Sequence, residues 1–124
     1  MVKSELYLHD ATLSIDEAIE GLYTIYVVSD KPRTKRFLER HPYLLSFLEE
    51  APAYIERHFP GAPLSLEVAN DPEAGPKDTQ VVAYIGTTLS PEAALANLKR
   101  FDQEWWLDKV AHTQGSMVIN VEFI

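Results

Sequence analysis

The sequence predicts an α+β fold, in which N-terminal helices are followed by a small, mainly antiparallel three-stranded sheet with helices on one face. Three observations predict it. Apolar residues recur at helical spacing over residues 42–59. Two segments with strand character, 64–69 and 80–85, flank a stretch that is dense in turn residues. A capped amphipathic helix over 91–108 then leads into an alternating strand over 117–124, so the sheet-forming part runs strand, strand, helix, strand.

The N-terminal region contains a capping-box pattern, Ser14-Ile-Asp-Glu17, in which the serine hydroxyl accepts from a first-turn amide and the glutamate reaches back. Apolar residues at helical spacing after it predict a helix over 15–28. Gly21 and the β-branched and aromatic run from Leu22 to Val28 favour a strand instead, so both alternatives stay open. Residues 1–13 are expected to form a loop or a short edge strand.

A second helical region follows. Thr34 to Arg40 is predicted as a short helix that ends before His41, because the residue preceding a proline is disfavoured in the α region. Pro42 suits the start of the next helix, where its missing N–H costs nothing. The apolar stripe of that helix continues across Pro52, which predicts either one helix kinked there or two helices packed end to end, closed by Pro60-Gly61. The stripe consists of Leu44, Leu48, Ala51, Ile55 and Phe59.

The C-terminal half is predicted to supply the sheet. Leu64–Ala69 and Gln80–Ile85 form an antiparallel hairpin with a long loop. Ser90 and Pro91 suit the N-cap and first position of the following helix. If the crossover through that helix is right-handed, the last strand is expected to pair with the first strand of the hairpin. An edge strand then stays free, which favours a homodimer.

Composition indicates a soluble chain. Its 124 residues suit a single domain over 1–124, in which residues 1–30 are expected to be a peripheral N-terminal extension. Cysteine is absent, which excludes disulfides, thiolate metal sites and a cysteine nucleophile. The sequence shows neither a signal-peptide pattern at its start nor an apolar run long enough to span a membrane, so a cytoplasmic location is expected.

Charge is unevenly distributed along the chain. The net charge of −8 argues against general nucleic-acid binding, because affinity for phosphate backbones comes largely from Lys and Arg. Residues 31–40 nevertheless hold five of the eleven basic residues and one acid, a local charge of +4. One interpretation is a solvated helix face. The other is a docking patch for phosphate, nucleic acid or the acidic face of another copy, formed by Lys31, Arg33, Lys35, Arg36 and Arg40.

Two adjacent tryptophans, Trp105 and Trp106, mark the densest candidate site. Neighbouring residues of an α-helix point about 100° apart, so one indole is expected to be partly exposed or to line a cleft. Asp102, Glu104 and Asp108 add carboxylates beside the aromatic faces. The pattern predicts a recognition pocket for a cation, a sugar or a peptide. The alternative places Trp105 in the core and Trp106 over a sheet edge or a sister helix.

No motif in the sequence assigns a reaction. The four histidines show no pair at i, i+3 or i, i+4 and no HExxH, so a zinc site would need distant segments. Gly115-Ser116 lacks the flanking pattern of a nucleophile elbow, and no glycine-rich phosphate loop precedes a helix. We therefore predict no cofactor, no metal and no catalytic residue, and we lean against an enzyme.

Several segments from Phe37 onward carry a resemblance to a family. They are His41-Pro-Tyr-Leu-Leu45, Leu64-Ser-Leu-Glu-Val68, Asp71-Pro-Glu73, Leu89-Ser-Pro-Glu-Ala-Ala-Leu95, Phe101-Asp-Gln-Glu-Trp-Trp-Leu-Asp108 and Val121-Glu-Phe-Ile124. In these the chain resembles a family of small bacterial proteins, many cyanobacterial, that carry no assigned function. The resemblance implies a single cytoplasmic bacterial domain, and it transfers no activity.

The sequence supports two main hypotheses about function. The first is a non-enzymatic protein-interaction module, such as one half of a toxin–antitoxin-like pair, whose acidic body faces a small basic partner. The second is a small-molecule-binding domain or minor enzyme with a pocket beside the Trp105-Trp106 helix, using Asp102 and Glu104. Nucleic-acid binding through residues 31–40 ranks below both because of the bulk negative charge.

Overall fold

The computed structural model describes residues 15–70 and 79–124. The capping residue Ser14, the loop or strand expected over 1–13 and most of the hairpin loop lie outside the described residues. In chain order the elements are α1 (15–22), β1 (Val27–Val28), α2 (Lys31–Arg40), α3 (Leu45–His58), β2 (Leu64–Asn70), β3 (Thr79–Thr87), α4 (Pro91–Phe101), α5 (Leu107–Val110) and β4 (Met117–Phe123). Single 3₁₀ turns cover Pro42–Leu44 and Ala111–Thr113, and a π-helical segment, Asp102–Trp106, joins α4 to α5.

Four strands form one mixed sheet in the order β1-β2-β3-β4. β2 and β3 are antiparallel, whereas β1 is parallel to β2 and β4 is parallel to β3. The α+β class and the antiparallel hairpin are confirmed, but the three-stranded, mainly antiparallel sheet is corrected to a four-stranded mixed one. Parallel neighbours need a long crossover between them. Here α2 and α3 connect β1 to β2, and α4 and α5 connect β3 to β4.

The added strand, β1, lies inside the segment for which a helix over 15–28 is predicted. The helix ends at residue 22, where the chain turns: the Thr24 hydroxyl donates to the Gly21 carbonyl at 2.7 Å. Val27 and Val28 then pair with β2 at Ser65 and Leu66. The β-branched residues there suit a pleated strand better than a helix, so the strand alternative for 22–28 is correct at Val27-Val28, whereas Leu22 is helical.

The position of β4 also differs from expectation. It pairs with β3 from Val81↔Met117 to Thr87↔Phe123, and not with the first strand of the hairpin. The reason is that β1 already occupies the free edge of β2, which leaves the outer edge of β3 for the last strand. Within the described residues, β1 and β4 are therefore the edge strands. The homodimer favoured by a free edge stays a prediction.

The register divides the sheet into two faces. Directly paired residues share a face, and the rows Leu66–Ala83–Ile119 and Val68–Val81–Met117 consist of buried residues of the core that packs under the helices. We call the opposite side the open face. It carries Val27, Ser65, Glu67, Val82, Tyr84, Val118, Asn120 and Glu122.

The segment after residue 14 belongs to the core. Ile19, Leu22 and Tyr26 are each at most 1% exposed and pack with the helices and the sheet. The expected peripheral extension over 1–30 is therefore wrong for residues 15–28, and residues 1–14 lie outside the described part of the chain. The helical spacing of apolar residues in this segment indicated a buried face. The sequence did not indicate what covers that face, because the residues that pack against it are distant along the chain.

The proline of α3 does not interrupt the helix. Leu45–His58 is a single α-helix with Pro52 inside it. The prediction of two separate helices is thus wrong at Pro52. The Leu48 carbonyl would ordinarily accept a hydrogen bond from the amide of residue 52, which proline lacks. The buried Tyr26 hydroxyl donates to that carbonyl at 2.7 Å instead.

The remaining helices follow the prediction closely. α2 starts three residues earlier than the predicted helix over 34–40, and the last helical region extends from Pro91 to Val110.

Among the described residues, none of the helices combines the length and the apolar character that a membrane crossing requires.

Candidate functional site

Both tryptophans of the predicted site are buried. Trp105 is 4% exposed and Trp106 is 6% exposed, so the expectation that one indole is exposed is wrong. Trp105 stacks on Tyr54 of α3, with ring centroids 5.1 Å apart and planes 11° apart. The expectation assumed ideal α-helical directions, whereas both residues lie in the π-helical segment, where the i to i+5 bonding changes the side-chain directions.

The carboxylates beside the tryptophans do not converge on a cavity. Glu104 accepts hydrogen bonds from Arg57 at 2.9 Å and from His58 Nε2 at 3.2 Å, both on α3. The hydrogen bond from Arg57 is the main reason that the pKa of Glu104 lies below its ordinary value. Partial burial raises the pKa of Asp102, and Asp108 is exposed. The contacts of Glu104 with Arg57 and His58 hold α3 against the last helical region.

The basic segment, in contrast, divides into two faces of α2. Lys31 lies over the Tyr23 ring, 5.0 Å from its centroid, and Lys35 borders the same groove. Arg33, Arg36 and Arg40 are spaced by three and four residues, which places them on one other face of the helix.

The arginine face borders a cavity of about 540 Å³, which we call the arginine cavity. The cavity lies where β2 ends, where β3 begins and just before β4, so three chain segments meet α2 there. Its lining consists of Arg33, Arg36, Phe37, Arg40, His41, Val68, Asn70, Thr79 and Ser116.

Local sequence fixes the orientation of α2 over this cavity. Asp30 is the N-cap, and its side chain accepts from the Arg33 amide at 3.1 Å. Phe37 and Leu38 are buried on the inner side of the helix. Burial of these two apolar side chains prevents rotation of α2 about its axis, so the arginines stay at the strand ends.

Hydrogen bonds among the lining residues leave donors available to a ligand. The Asn70 side-chain oxygen accepts from Arg33 at 3.4 Å and from the Thr79 hydroxyl at 2.8 Å, so its amide N–H groups remain free of that contact. The Ser116 hydroxyl accepts from Tyr43 at 3.2 Å and keeps its own proton. His41 Nδ1 must carry a proton, because it donates to the Phe37 carbonyl at 2.9 Å.

The described lining of the cavity is positively charged. It includes three guanidinium groups and no carboxylate. Over residues 15–70 and 79–124, Glu104 contacts Arg57 and His58 within 4.0 Å, and none of the described basic groups of α2 lies that close to a carboxylate. A cavity with these groups suits an anion.

A second cavity, of about 390 Å³, lies at the opposite end of the sheet and is a weaker candidate. Its polar lining residues are engaged within the protein: Asn97 donates to the His58 carbonyl at 3.0 Å, and the His58 ring contacts Glu104. Pro63, Leu89 and Ile124 give it a more apolar wall. Neither cavity is lined by Trp105 or Trp106.

Comparison with known proteins gives no further evidence about the candidate site. No protein-family model, curated protein or solved structure matches the chain. The geometry of the described residues therefore carries the functional argument.

Sequence reasoning identified the basic residues of the site and missed its other wall. His41, Asn70, Thr79 and Ser116 come from separate segments, and the last three belong to residue types that are common in turns. In the sequence, only the basic run over residues 31–40 indicated this site, because the other lining residues come close to it only in the folded protein. The described residues contain no group of three or more His, Asp or Glu side chains arranged to hold a metal ion.

Proposed function

We propose that this protein is a non-enzymatic binding module whose recognition site is the arginine cavity and whose ligand carries an anionic group. The observation that supports this is the convergence of Arg33, Arg36 and Arg40 on one cavity. The hypothesis of a binding domain is thereby retained, with its site moved from the Trp105-Trp106 helix to α2.

The chemistry of arginine favours an anion with several oxygen atoms. A guanidinium is planar, stays protonated and presents paired N–H donors that fit carboxylate or phosphate. Exposed charges are screened beyond about 8 Å at physiological ionic strength, so carboxylates far from the cavity weaken the attraction of its arginines only slightly despite the net charge of −8. An anion is therefore attracted locally even though the whole chain is acidic.

The hydrogen bonding of the Ser116 hydroxyl favours binding without catalysis. A serine nucleophile needs a base that accepts its proton. The described hydrogen bonds join the Ser116 hydroxyl to Tyr43 and the His41 Nδ1 proton to the Phe37 carbonyl, and none of them joins Ser116 to His41. These contacts hold the lining in place and do not form a nucleophile–base pair.

The test is an NMR titration of the isotope-labelled protein with sulfate, phosphate and benzoate at low ionic strength. We expect shifts at Arg36 and Ser116, and the variant Arg36→Gln should weaken binding by about tenfold or more, as loss of a charged hydrogen-bond donor does. Lys35→Gln is the matched control, because it removes the same charge from the other face of α2. Equal weakening by both variants, or no shift with any anion, would contradict the proposal.

A second candidate function is the binding of a basic protein partner on the open face, as the sequence hypothesis of a protein-interaction module proposes. Val27 is 72% exposed there and Tyr84 is half-buried. Burial, followed by the charges of Glu67 and Glu122, raises the pKa of Tyr84, so two carboxylates lie near this ring. Apolar and acidic groups together suit a partner with both lysines or arginines and apolar side chains.

A further inference from the structure

The donors of the arginine cavity outnumber the roughly four acceptor positions of a carboxylate. Three guanidinium forks, the amide of Asn70 and the hydroxyl of Ser116 border the same space. Each guanidinium can donate two parallel hydrogen bonds to one anionic group. The site therefore suits a group with many acceptor positions and more than one negative charge.

Among common anions, a phosphate monoester meets this demand better than a carboxylate. A carboxylate has two oxygens and a charge of one. A phosphate monoester has three terminal acceptor oxygens and carries a charge of about −1.5 to −2 at pH 7. Three terminal oxygens provide a separate acceptor for each of Arg33, Arg36 and Arg40.

The size and the apolar floor of the cavity indicate that the phosphate belongs to a larger molecule. Its volume of about 540 Å³ lies within the range of pockets that hold small organic ligands, and it exceeds the need of a free phosphate ion. Phe37 and Val68 supply apolar surface beside the polar groups. Phe37 is held in place by stacking on His41, with centroids 4.2 Å apart.

A long nucleic acid is disfavoured by the charge of the rest of the protein. Nucleic-acid affinity rises with the number of phosphates that Lys and Arg neutralise along the chain. Here the three arginines occupy one cavity, whereas residues outside 31–40 carry a net negative charge. A polyanion that extends beyond the cavity would therefore meet repulsion.

We propose that the arginine cavity binds a phosphate monoester of a small organic molecule, with the phosphate on Arg33, Arg36 and Arg40 and the organic part on Phe37 and Val68. This inference rests on the proposed anion-binding function and goes further by naming the chemical class of the ligand.

The experiment compares phenyl phosphate, benzoate, inorganic phosphate and a thymidine oligonucleotide by isothermal titration calorimetry on the full chain. Phenyl phosphate should bind about tenfold or more tightly than benzoate, because it adds charge and one acceptor oxygen. It should also bind more tightly than inorganic phosphate, because the cavity removes apolar surface of the phenyl ring from water. A phosphoserine pentapeptide tests whether the monoester belongs to a small molecule or to a polypeptide. Weaker binding of the peptide than of phenyl phosphate would support a small molecule. Tighter binding would overturn that part of the proposal in favour of a polypeptide.

Arg36→Lys separates geometry from charge, because lysine keeps the charge and loses the planar fork. We expect this variant to lower affinity for phenyl phosphate more than affinity for benzoate, with Lys35→Gln as the control. Equal affinity for benzoate and phenyl phosphate would overturn the monoester inference and leave the anion-binding function standing. Tighter binding of the oligonucleotide would also overturn it. If none of the probes binds, both the inference and the proposed function fail.

Discussion

At the scale of single residues, Tyr26 shows how a local defect is repaired by a distant side chain. Pro52 removes a helical donor, and the Leu48 carbonyl left without that donor lies in the buried part of α3. Tyr26 is 1% exposed and supplies the missing hydrogen bond from the turn before β1. Burial also raises the pKa of its hydroxyl, so the phenol keeps the proton that it donates to Leu48 at neutral pH.

Tyr26→Phe should therefore lower the free energy of unfolding by about 1–3 kcal/mol, the cost of leaving a buried carbonyl without a partner. Urea denaturation measures it. In a Pro52→Ala background the new amide can bond to Leu48, so the same Tyr26→Phe change should cost less. Tyr23→Phe is the control, because the Tyr23 hydroxyl is half-exposed and its bond to Lys31 is long, at 3.5 Å. An identical cost of Tyr26→Phe in both backgrounds would refute this account of α3.

The sequence indicated parts of this arrangement. Pro52 was recognisable as a helix defect, and the apolar spacing around it predicted a continuous stripe. The donor that compensates for the proline was not recognisable, because Tyr26 and Leu48 are 22 positions apart along the chain. Sequence patterns report local preferences, whereas this bond depends on how α3 packs on the chain before β1.

At the scale of elements, the last helical region is the best-predicted part of the fold and also the source of an error. Ser90 caps α4 as expected, and its hydroxyl accepts from the Ala93 amide at 3.2 Å. The π-helical segment after Phe101 was not predicted, because periodicity assigns every helical residue the same rotation of about 100°. The two indoles consequently share a buried environment, with centroids 5.8 Å apart.

We expect both indoles to be protected from acrylamide. The single-tryptophan variants Trp105→Phe and Trp106→Phe should each show weak quenching relative to N-acetyltryptophanamide, because each remaining indole is at most 6% exposed. Unfolding in urea should raise the quenching of both variants to the same level, which serves as the internal control. Strong quenching of the folded Trp105→Phe variant would instead restore the exposed surface at Trp106 that the sequence suggested.

At the scale of the whole molecule, opposite charges occupy separate surfaces. The arginine cavity lies at the strand ends beneath α2, and the open face carries the carboxylates of Glu67 and Glu122 and, among its described residues, no basic side chain. The net charge of −8 alone describes neither surface. A basic partner and an anionic ligand could therefore bind the same chain without competing.

The open-face candidate is tested by comparing two double variants of equal charge. The first double variant, Glu67→Gln with Glu122→Gln, changes the open face. The second, Glu49→Gln with Glu50→Gln, changes exposed positions of α3. Each double variant changes the net charge from −8 to −6. A synthetic peptide of alternating lysine and leucine is the probe, measured by titration calorimetry. The open-face variant should bind it several-fold more weakly than the α3 variant. Equal affinities would mean that bulk charge, and not this face, attracts the peptide.

By itself, the sequence determined most helices, three of the four strands, the antiparallel hairpin and the basic character of α2, because these follow from spacing, capping and composition within short segments. Tertiary structure decided that Val27-Val28 is a strand, that β4 pairs with β3, that both tryptophans are buried and that arginines meet Asn70, Thr79 and Ser116 around a cavity. The physical reason is the same in each case. Strand order, side-chain burial and a cavity lining depend on contacts between residues far apart in the chain, and local propensity contains no information about which distant surfaces will meet.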